Sequence, residues 1–172
     1  MKAPRDAVLR FYSGTGADDR GRRLEDVWRF SYEELEDVHD YIQWLFPLRE
    51  RSAFNPGAPI LDDAIVQRFA SDETLRNNLE RSLELMLDFY GLEIAGDEIR
   101  RAPSFTERAT NWLTPGNHNF LRLTRILKSL SLLGLHDRAT QLLACLEEIY
   151  AAHGRVIGDR TLSFWRQAAG AT

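Results

Sequence analysis

Leucines three and four residues apart recur through this chain, and that spacing predicts a helical protein. The clearest stretch runs from 72 to 90. On a helical wheel its apolar residues share one arc: Leu75, Leu79, Leu83, Met86, Leu87 and Tyr90. Leucine loses little rotamer freedom in a helix, whereas β-branched residues lose more, and leucine outnumbers valine and isoleucine together by 24 to 13. No stretch of five residues alternates cleanly between apolar and polar, so we expect essentially no sheet.

Helix caps and breakers divide the first half of the chain. Ser31 and Glu34 have the spacing of a capping box, which predicts the start of a helix over 32–45. Pro47 ends that helix, and a proline-rich connection follows over 47–61. A connection this long usually packs down or serves a function.

Further capping residues predict the next helices. Asp62 precedes a helix over 63–70, and Ser71 precedes the helix over 72–90, which we expect to be the longest. Residues 92–103 resemble a loop. Ser104 can cap a short helix that ends at Leu113.

The last third of the chain predicts a helical hairpin over 118–152. Gly134 separates its two helices, and so short a connection forces them to be antiparallel neighbours. Asp159 precedes a final helix. We therefore expect an all-α fold: a single compact domain over 1–172 with six to eight helices around this hairpin.

Composition excludes several classes of protein. The chain has 172 residues, a net charge of −4 and one cysteine, so it carries no internal disulfide and no broad nucleic-acid surface. Its four histidines lack metal-binding spacing, and we expect neither a metal nor a cofactor. No apolar run is long enough to cross a membrane, and no apolar signal core is evident, which predicts a cytoplasmic protein.

Familiar catalytic motifs are not evident in the sequence. Residues 14–21 contain glycines but lack the preceding strand and third glycine of a nucleotide loop. Cys145 lies among leucines and is predicted to be a buried structural thiol. The acidic pairs are explained by capping and solvation.

One unusual stretch runs from 39 to 47. His39 and Gln43 are one helical turn apart and would share a face at the edge of the apolar arc. They could bond to the backbone of the loop over 48–61. Alternatively, they could form a recognition pocket with Tyr41 and Trp44 as aromatic walls.

A second unusual stretch begins at His118. Its cationic and histidine side chains form one arc: His118, Arg122, Arg125 and Lys128. Leu121 and Leu132 fall inside that arc, so we expect the helix to be covered on two sides. These cations could pair with acidic helices or line a groove for a carboxylate ligand, and nucleic acid is a weaker alternative.

Both stretches resemble a known family. They and a third stretch between them resemble the opioid growth factor receptor conserved region. The matching stretches are His39-Asp40-Tyr41-Ile42-Gln43-Trp44-Leu45-Phe46-Pro47, Met86-Leu87-Asp88-Phe89-Tyr90-Gly91, and His118-Asn119-Phe120-Leu121-Arg122-Leu123 with Leu133-Gly134-Leu135. Asn55 and Pro59 fit the family's loop. The resemblance is strongest over 11–135, and 136–172 is interpreted as a helical C-terminal extension.

The resemblance implies a receptor for a short opioid peptide, an enkephalin, without a membrane span. The family acts on cell proliferation and is found at the nuclear periphery, which implies signalling receptor activity. We expect this chain to be the bare domain, as in a bacterial or other microbial member.

We therefore predict a non-enzymatic, receptor-type module that binds a short peptide or a small molecule. The candidate ligand-binding residues are His39, Tyr41, Gln43, Trp44, Asn55, His118, Asn119, Arg122 and Arg125. Two other functions stay open: an enzyme that uses His39 or His118 as acid or base, and a scaffold for protein partners. The oligomeric state is left open.

Overall fold

A computed structural model describes residue 4 and residues 6–171 of the chain. It divides into two compact units, Met1–Ser82 and Leu83–Thr172, which are described separately below. Within the described residues there are ten helices and one two-stranded sheet, so the fold is mainly helical. The prediction of a strictly all-α fold with six to eight helices is wrong in both details.

The first unit contains five helices and the start of a sixth. They are α1 (Ala7–Tyr12), α2 (Leu24–Trp28), α3 (Tyr32–Asp37), α4 (Ile42–Leu45), α5 (Asp63–Ser71) and α6 (Glu73–Tyr90), of which 73–82 belong to this unit. The core is aromatic. Phe11 packs edge-on against Tyr12 and Trp44, and Tyr12 packs edge-on against Phe69.

Tyr12 ties three elements of this unit together. Its buried hydroxyl donates to the carbonyl of Leu45 and lies 3.1 Å from Ser82 Oγ. Asn78 Nδ2 donates to the carbonyl of Tyr12 at 2.8 Å, and Trp28 Nε1 donates to Ser82 Oγ at 3.0 Å. These hydrogen bonds pair the buried hydroxyls of Tyr12 and Ser82 with groups on α1, α2, α4 and α6.

The helix predicted over 32–45 is interrupted. The Ser31–Glu34 capping box is confirmed, but α3 ends where Val38 adopts an extended conformation. Tyr41 Oη donates to the carbonyl of Leu35 at 2.7 Å, and Asn55 Nδ2 donates to the carbonyl of Asp40 at 3.3 Å. These side chains satisfy carbonyls that a continuous helix would have bonded, so the break leaves them paired.

Asp72, rather than Ser71, begins α6. Oδ1 of Asp72 accepts from the backbone N–H groups of Thr74 at 3.0 Å and Leu75 at 3.3 Å. Ser71 is the last residue of α5 and donates to the carbonyl of Arg68. The predicted cap at Asp62 is confirmed, because its carboxylate accepts from the N–H of Ile65.

The second unit holds the end of α6, a β-hairpin and four helices. These are β1 (Leu92–Ala95), β2 (Glu98–Arg101), α7 (Phe105–Trp112), α8 (Asn119–Leu132), α9 (His136–Ile157) and α10 (Asp159–Ala169). The strands are antiparallel, with Ile94 opposite Ile99. Gly96 has a positive φ at the first of the two loop residues, as in a tight hairpin turn. The loop predicted over 92–103 is therefore wrong.

The predicted helical hairpin is present in α8 and α9. Gly134 has a φ of +85°, and the N–H of Leu135 donates to the carbonyl of Leu130 at 3.0 Å. This is the glycine-ended helix terminus expected from the sequence. α10 packs on α8, where Trp165 Nε1 donates to the carbonyl of Phe120 at 3.1 Å.

Two further expectations about helices are wrong in detail. α9 is the longest helix, with 22 residues against 18 in α6, although His153 is non-helical within it. Ser104 precedes α7 but makes no capping hydrogen bond. Gly158, not Asp159, is the residue before α10, and Asp159 instead accepts from the hydroxyl of Tyr150.

Candidate functional site

A charged cluster in the first unit joins the loop over 18–22 to the segment before α4. Asp18 has a fully buried side chain that accepts from the backbone N–H groups of Arg20 and Arg22, each at 2.9 Å, and from Arg22 Nε at 2.7 Å. Asp40 lies beyond Arg22, with its Oδ1 2.9 Å from Arg22 Nη2. Arg22 therefore bridges two carboxylates.

The bridge shifts the pKa values of Arg22 and Asp40. Burial works to raise the pKa of Asp40, but its contacts with Arg22 and Arg20 outweigh burial, and the pKa is lowered. Burial likewise works to lower the pKa of Arg22, but Asp18 and Asp40 outweigh it, and the pKa is raised. Arg22 and Asp40 are therefore both ionised at neutral pH.

Asp40→Asn is expected to reduce the acid sensitivity of the chain. The folded-state pKa of Asp40 lies below the unfolded value, so its stabilisation is present above the unfolded pKa and is lost as pH falls through the folded one. In urea titrations, the wild-type midpoint should therefore fall more steeply than the variant's below about pH 4. At neutral pH the variant should lose about 1.5–3 kcal/mol, because Arg22 loses a charged partner. Parallel pH profiles would contradict this role for Asp40.

Trp44 and Asn55 make further hydrogen bonds, to the loop over 18–22 and to the segment before α4 respectively. Trp44 Nε1 donates to Asp19 Oδ1 at 3.0 Å, and Asn55 Nδ2 reaches the carbonyl of Asp40. Ser52 Oγ accepts from the N–H of Asn55 at 3.1 Å. Two sequence-predicted site residues, Trp44 and Asn55, thus lie around the segment that carries Asp40.

Gln43 is the unusual member of this region. Its residue surface is 5% exposed, and its Oε1 is buried without a hydrogen-bond partner. An unpaired buried carbonyl is destabilising, so it marks a position that a water molecule or a ligand could satisfy. His39 is exposed and lies outside α4, so the predicted shared helical face of His39 and Gln43 is wrong. Tyr41 is fully buried.

In the second unit, asparagines organise the start of α8. Asn119 is fully buried, its Oδ1 accepts from Tyr90 Oη at 3.2 Å, and its Nδ2 donates to Asn117 Oδ1 at 3.0 Å. Asn117 Oδ1 also accepts from the backbone N–H of Asn119 at 2.9 Å, so Asn117 satisfies the start of the helix. Asn117 Nδ2 donates to the carbonyl of Asn111 at 3.1 Å.

The basic arc of α8 is unevenly exposed. Arg122 is 6% exposed, Arg125 is half-buried and His118 is exposed. Leu132 is buried as expected, but Leu121 is 60% exposed, so the prediction that leucines on this arc are all covered is wrong at Leu121. A buried arginine needs a charged or hydrogen-bonding partner, and Arg122 is not free of one.

An open groove of about 560 Å³ lies in the first unit between α1, α5 and the start of α6. We call it the α1–α5 groove. Leu9, Ile65 and Leu75 form its apolar lining, together with Ala64. Pockets that bind small molecules have volumes of about 300–1,000 Å³, so the groove is large enough for a small ligand or part of a peptide.

The rim of the groove is charged with both signs. It includes Asp6, Arg10, Asp62, Arg68 and Asp72. Arg10 pairs with Asp6 at 3.2 Å, and Arg68 pairs with Asp72 at 3.5 Å. The Arg10–Asp6 pair is solvent-exposed and weak, so an incoming charged group can replace one partner. None of the sequence-predicted site residues lines this groove.

The described residues hold no cluster suited to a metal ion. No three histidine, cysteine, aspartate or glutamate side chains converge among them, and no described helix is long and apolar enough to cross a membrane. Burial, followed by the charge of Glu148, raises the pKa of Cys145 to about 11. Its thiol therefore stays protonated at neutral pH, as the sequence predicted for a structural cysteine.

Comparison with known proteins decides the family. The profile of the opioid growth factor receptor (OGFr) conserved region matches residues 5–167. This chain belongs to that family. The matched range includes α9 and most of α10.

The related receptors are much longer than this chain. It is 43% identical over 140 residues to the opioid growth factor receptor of Mus musculus, covering 77% of this chain and 22% of that protein. It is 38% identical over 144 residues to opioid growth factor receptor-like protein 1 of Xenopus tropicalis, covering 80% of this chain and 28% of the relative. The chain thus spans about a quarter of the length of these relatives. No solved structure matches it.

Sequence reasoning missed the groove and the charged cluster. Asp18 lies in the stretch 14–21, which was compared only with a nucleotide loop, and Arg22 follows that stretch. The run Asp18-Asp19-Arg20-Gly21-Arg22 has two acidic residues followed by two basic ones, which could have indicated a local ion pair, since Asp18 and Arg22 are four residues apart. The groove left no local signal, because its lining comes from α1, α5 and α6 together.

Proposed function

We propose that this chain is a non-enzymatic binding module that takes a short peptide in the α1–α5 groove. The observation that carries the proposal is the groove itself, with an apolar lining and a rim of both charges. A short peptide has apolar side chains, a terminal ammonium and a terminal carboxylate. Aspartates of the rim suit the ammonium, and Arg10 and Arg68 suit the carboxylate.

The names of the relatives support this class of ligand. The Mus musculus relative is called an opioid growth factor receptor, which names an opioid growth factor as the ligand of that protein, and the Xenopus tropicalis relative is called receptor-like. They are not named as enzymes. We extend a receptor-type role to this chain as a proposal, together with a cytoplasmic location and a microbial origin.

The test is a calorimetric titration of the full chain with enkephalin, a scrambled peptide of the same composition, and a small-metabolite panel. We expect saturable binding of enkephalin and weaker binding of its C-terminally amidated form, by about twofold to fivefold because the rim is exposed. Binding of a metabolite without either peptide would replace the peptide by a small molecule. If no compound bound, the binding-module proposal would be rejected and a protein-binding scaffold would be favoured.

Leu9→Gln tests the location. It places an amide of similar size on the apolar lining, at a half-buried position that tolerates polarity. Binding should weaken by about tenfold or more, since an apolar contact is replaced by a polar one. Leu85→Gln is the matched control, because it makes the same change at a half-buried position of α6 outside the groove. If both variants weakened peptide binding equally, the groove would not be the binding site.

The residues singled out by the sequence give two alternative proposed locations, one in each unit. Gln43, with its unpaired carbonyl, is the member that supports ligand contact in the first unit. Arg122 is the candidate for a carboxylate in the second unit. If the ligand binds at one of these alternative locations instead of the groove, Gln43→Leu or Arg122→Leu should abolish binding while circular dichroism shows an intact fold. Unchanged binding would reject these positions, and unfolding would assign them a structural role.

A further inference from the structure

Phe54 is the most exposed large apolar side chain of the described residues. It is 84% exposed, although it lies in a loop that is held in place. Ser52 Oγ accepts from the N–H of Phe54 at 3.2 Å and from the N–H of Asn55 at 3.1 Å. Asn55 in turn bonds the carbonyl of Asp40. The ring is therefore presented to solvent from a fastened turn.

The Phe54 loop adjoins the α1–α5 groove. Arg49 Nη1 pairs with Asp63 Oδ1 at 2.9 Å, and this joins the beginning of the loop to the first residue of α5. Asp62 and Ala64, on either side of Asp63, line the groove. The loop that carries Phe54 is thus joined to α5, the helix whose first turn lines the groove.

The Phe54 ring and the α1–α5 groove are complementary, because both are apolar and because the charged residues near them differ in net sign. The groove has an apolar lining and more room than one aromatic side chain needs. Its rim carries three aspartates against two arginines, a formal excess of one negative charge. Arg51, three residues before Phe54, is exposed and supplies a positive charge beside the ring. An aromatic anchor next to an arginine is typical of the residues that dominate protein interfaces.

We propose that two copies of this chain associate through this region, with Phe54 of each copy inserted into the α1–α5 groove of the other. A two-fold axis makes the two contacts equivalent, so each copy supplies one ring and one groove, and the interface closes at a dimer. The proposal rests on the proposed function in that it uses the same groove. It adds regulation: self-association and a peptide ligand compete for one site.

Sedimentation velocity over a concentration series, up to millimolar protein, tests the association. We expect the wild-type chain to move from monomer to dimer and not to larger species. Phe54→Ser should lower the association constant by about tenfold or more, because the buried ring is lost from both contacts. Phe164→Ser is the matched control, since Phe164 is exposed on α10 in the other unit. A wild-type chain that stays monomeric throughout overturns the proposal.

Mixing variants tests which surfaces meet. Phe54→Ser keeps the groove and lacks the ring, whereas Leu9→Gln keeps the ring and has a polar groove. Each variant alone should dimerise poorly, and an equimolar mixture should partly recover dimer, because one ring can enter one intact groove. A mixture no better than either variant overturns the proposed pairing.

Cross-linking gives an independent readout. Phe54→Cys mixed with Ala64→Cys should form a disulfide between different chains under mild oxidation, in excess of either variant alone. Native Cys145 is buried and does not interfere. Peptide binding is measured separately on dilute, monomeric protein. If the wild-type chain binds peptide but forms no dimer, only the dimer proposal is rejected. If it forms the dimer but binds no peptide, only the peptide proposal is rejected.

Discussion

Gly91→Ala is expected to lower the free energy of unfolding by about 2–5 kcal/mol. Gly91 follows α6 with a φ of +78°, a conformation that side chains other than glycine rarely adopt. A Cβ atom there would lie 2.7 Å from the backbone Cα of Phe105 and 3.0 Å from Arg108 Cβ. Backbone cannot move aside as a flexible side chain can, so strain and overlap add together. Urea unfolding measures the loss.

Gly116→Ala separates the two causes. Gly116 has a φ of +67°, but no atom lies within 4 Å of the Cβ position. The variant should therefore lose about 1–2 kcal/mol, from backbone conformation alone. If both alanine variants lost the same stability, the close approach of Phe105 would have no energetic consequence and the prediction would be wrong.

Trp112→Ala is expected to cost about 3–5 kcal/mol, as for large aromatic side chains removed from a core. Trp112 is fully buried at the end of α7. Its ring packs edge-on against Tyr90 at 5.4 Å and Phe120 at 6.5 Å between centroids. Its Nε1 donates to the carbonyl of Tyr90 at 3.0 Å. One side chain therefore connects α6, α7 and α8, and its removal leaves a cavity and takes one hydrogen-bond donor from the carbonyl of Tyr90.

Trp112→Phe divides that loss into its parts. Phenylalanine keeps an aromatic ring for Tyr90 and Phe120 but cannot donate to the carbonyl of Tyr90. We expect a loss of about 1–3 kcal/mol, because a buried carbonyl loses a hydrogen-bond donor. Chemical unfolding followed by circular dichroism measures both variants. If Trp112→Phe lost as much stability as Trp112→Ala, the shape of the side chain at 112, and not the apolar surface that it buries, would govern stability here.

The charged cluster and the groove have different consequences for function. Asp18, Arg22 and Asp40 are tied to one another, and these bonds place the segment before α4. The Arg10–Asp6 pair on the rim of the groove is exposed and replaceable. We therefore expect variants in the cluster to act through stability, and variants in the groove lining to act through affinity with the fold intact.

Local rules explain why much of the helical structure was predictable. The Ser31–Glu34 box, the Asp62 cap and the Gly134 terminus each depend on residues within about one helical turn. The spacing of leucines in α6 and α8 likewise reports burial along one element, and Leu75, Leu79, Leu83, Leu123 and Leu130 are all buried. The family resemblance was also carried by continuous stretches of sequence, and the profile match confirms it.

Two local structures escaped prediction for definite reasons. The strands of the hairpin have four residues each, which is too short for alternation to stand out. The helix over 32–45 has suitable spacing, but its carbonyls at Leu35 and Asp40 find partners in Tyr41 and Asn55 instead. A distant asparagine can thus settle whether a helix continues, and periodicity does not contain that information.

By itself the sequence determined the family, the helical character and several helix ends, because these depend on neighbours along the chain or along one helical face. Tertiary structure alone decided that Asp18 and Arg122 are buried, that Leu121 and Phe54 are exposed, and that α1, α5 and α6 enclose a groove. The burial of a charge depends on partners that approach from other elements, and a cavity exists only where several elements meet. Short-range patterns do not encode either one.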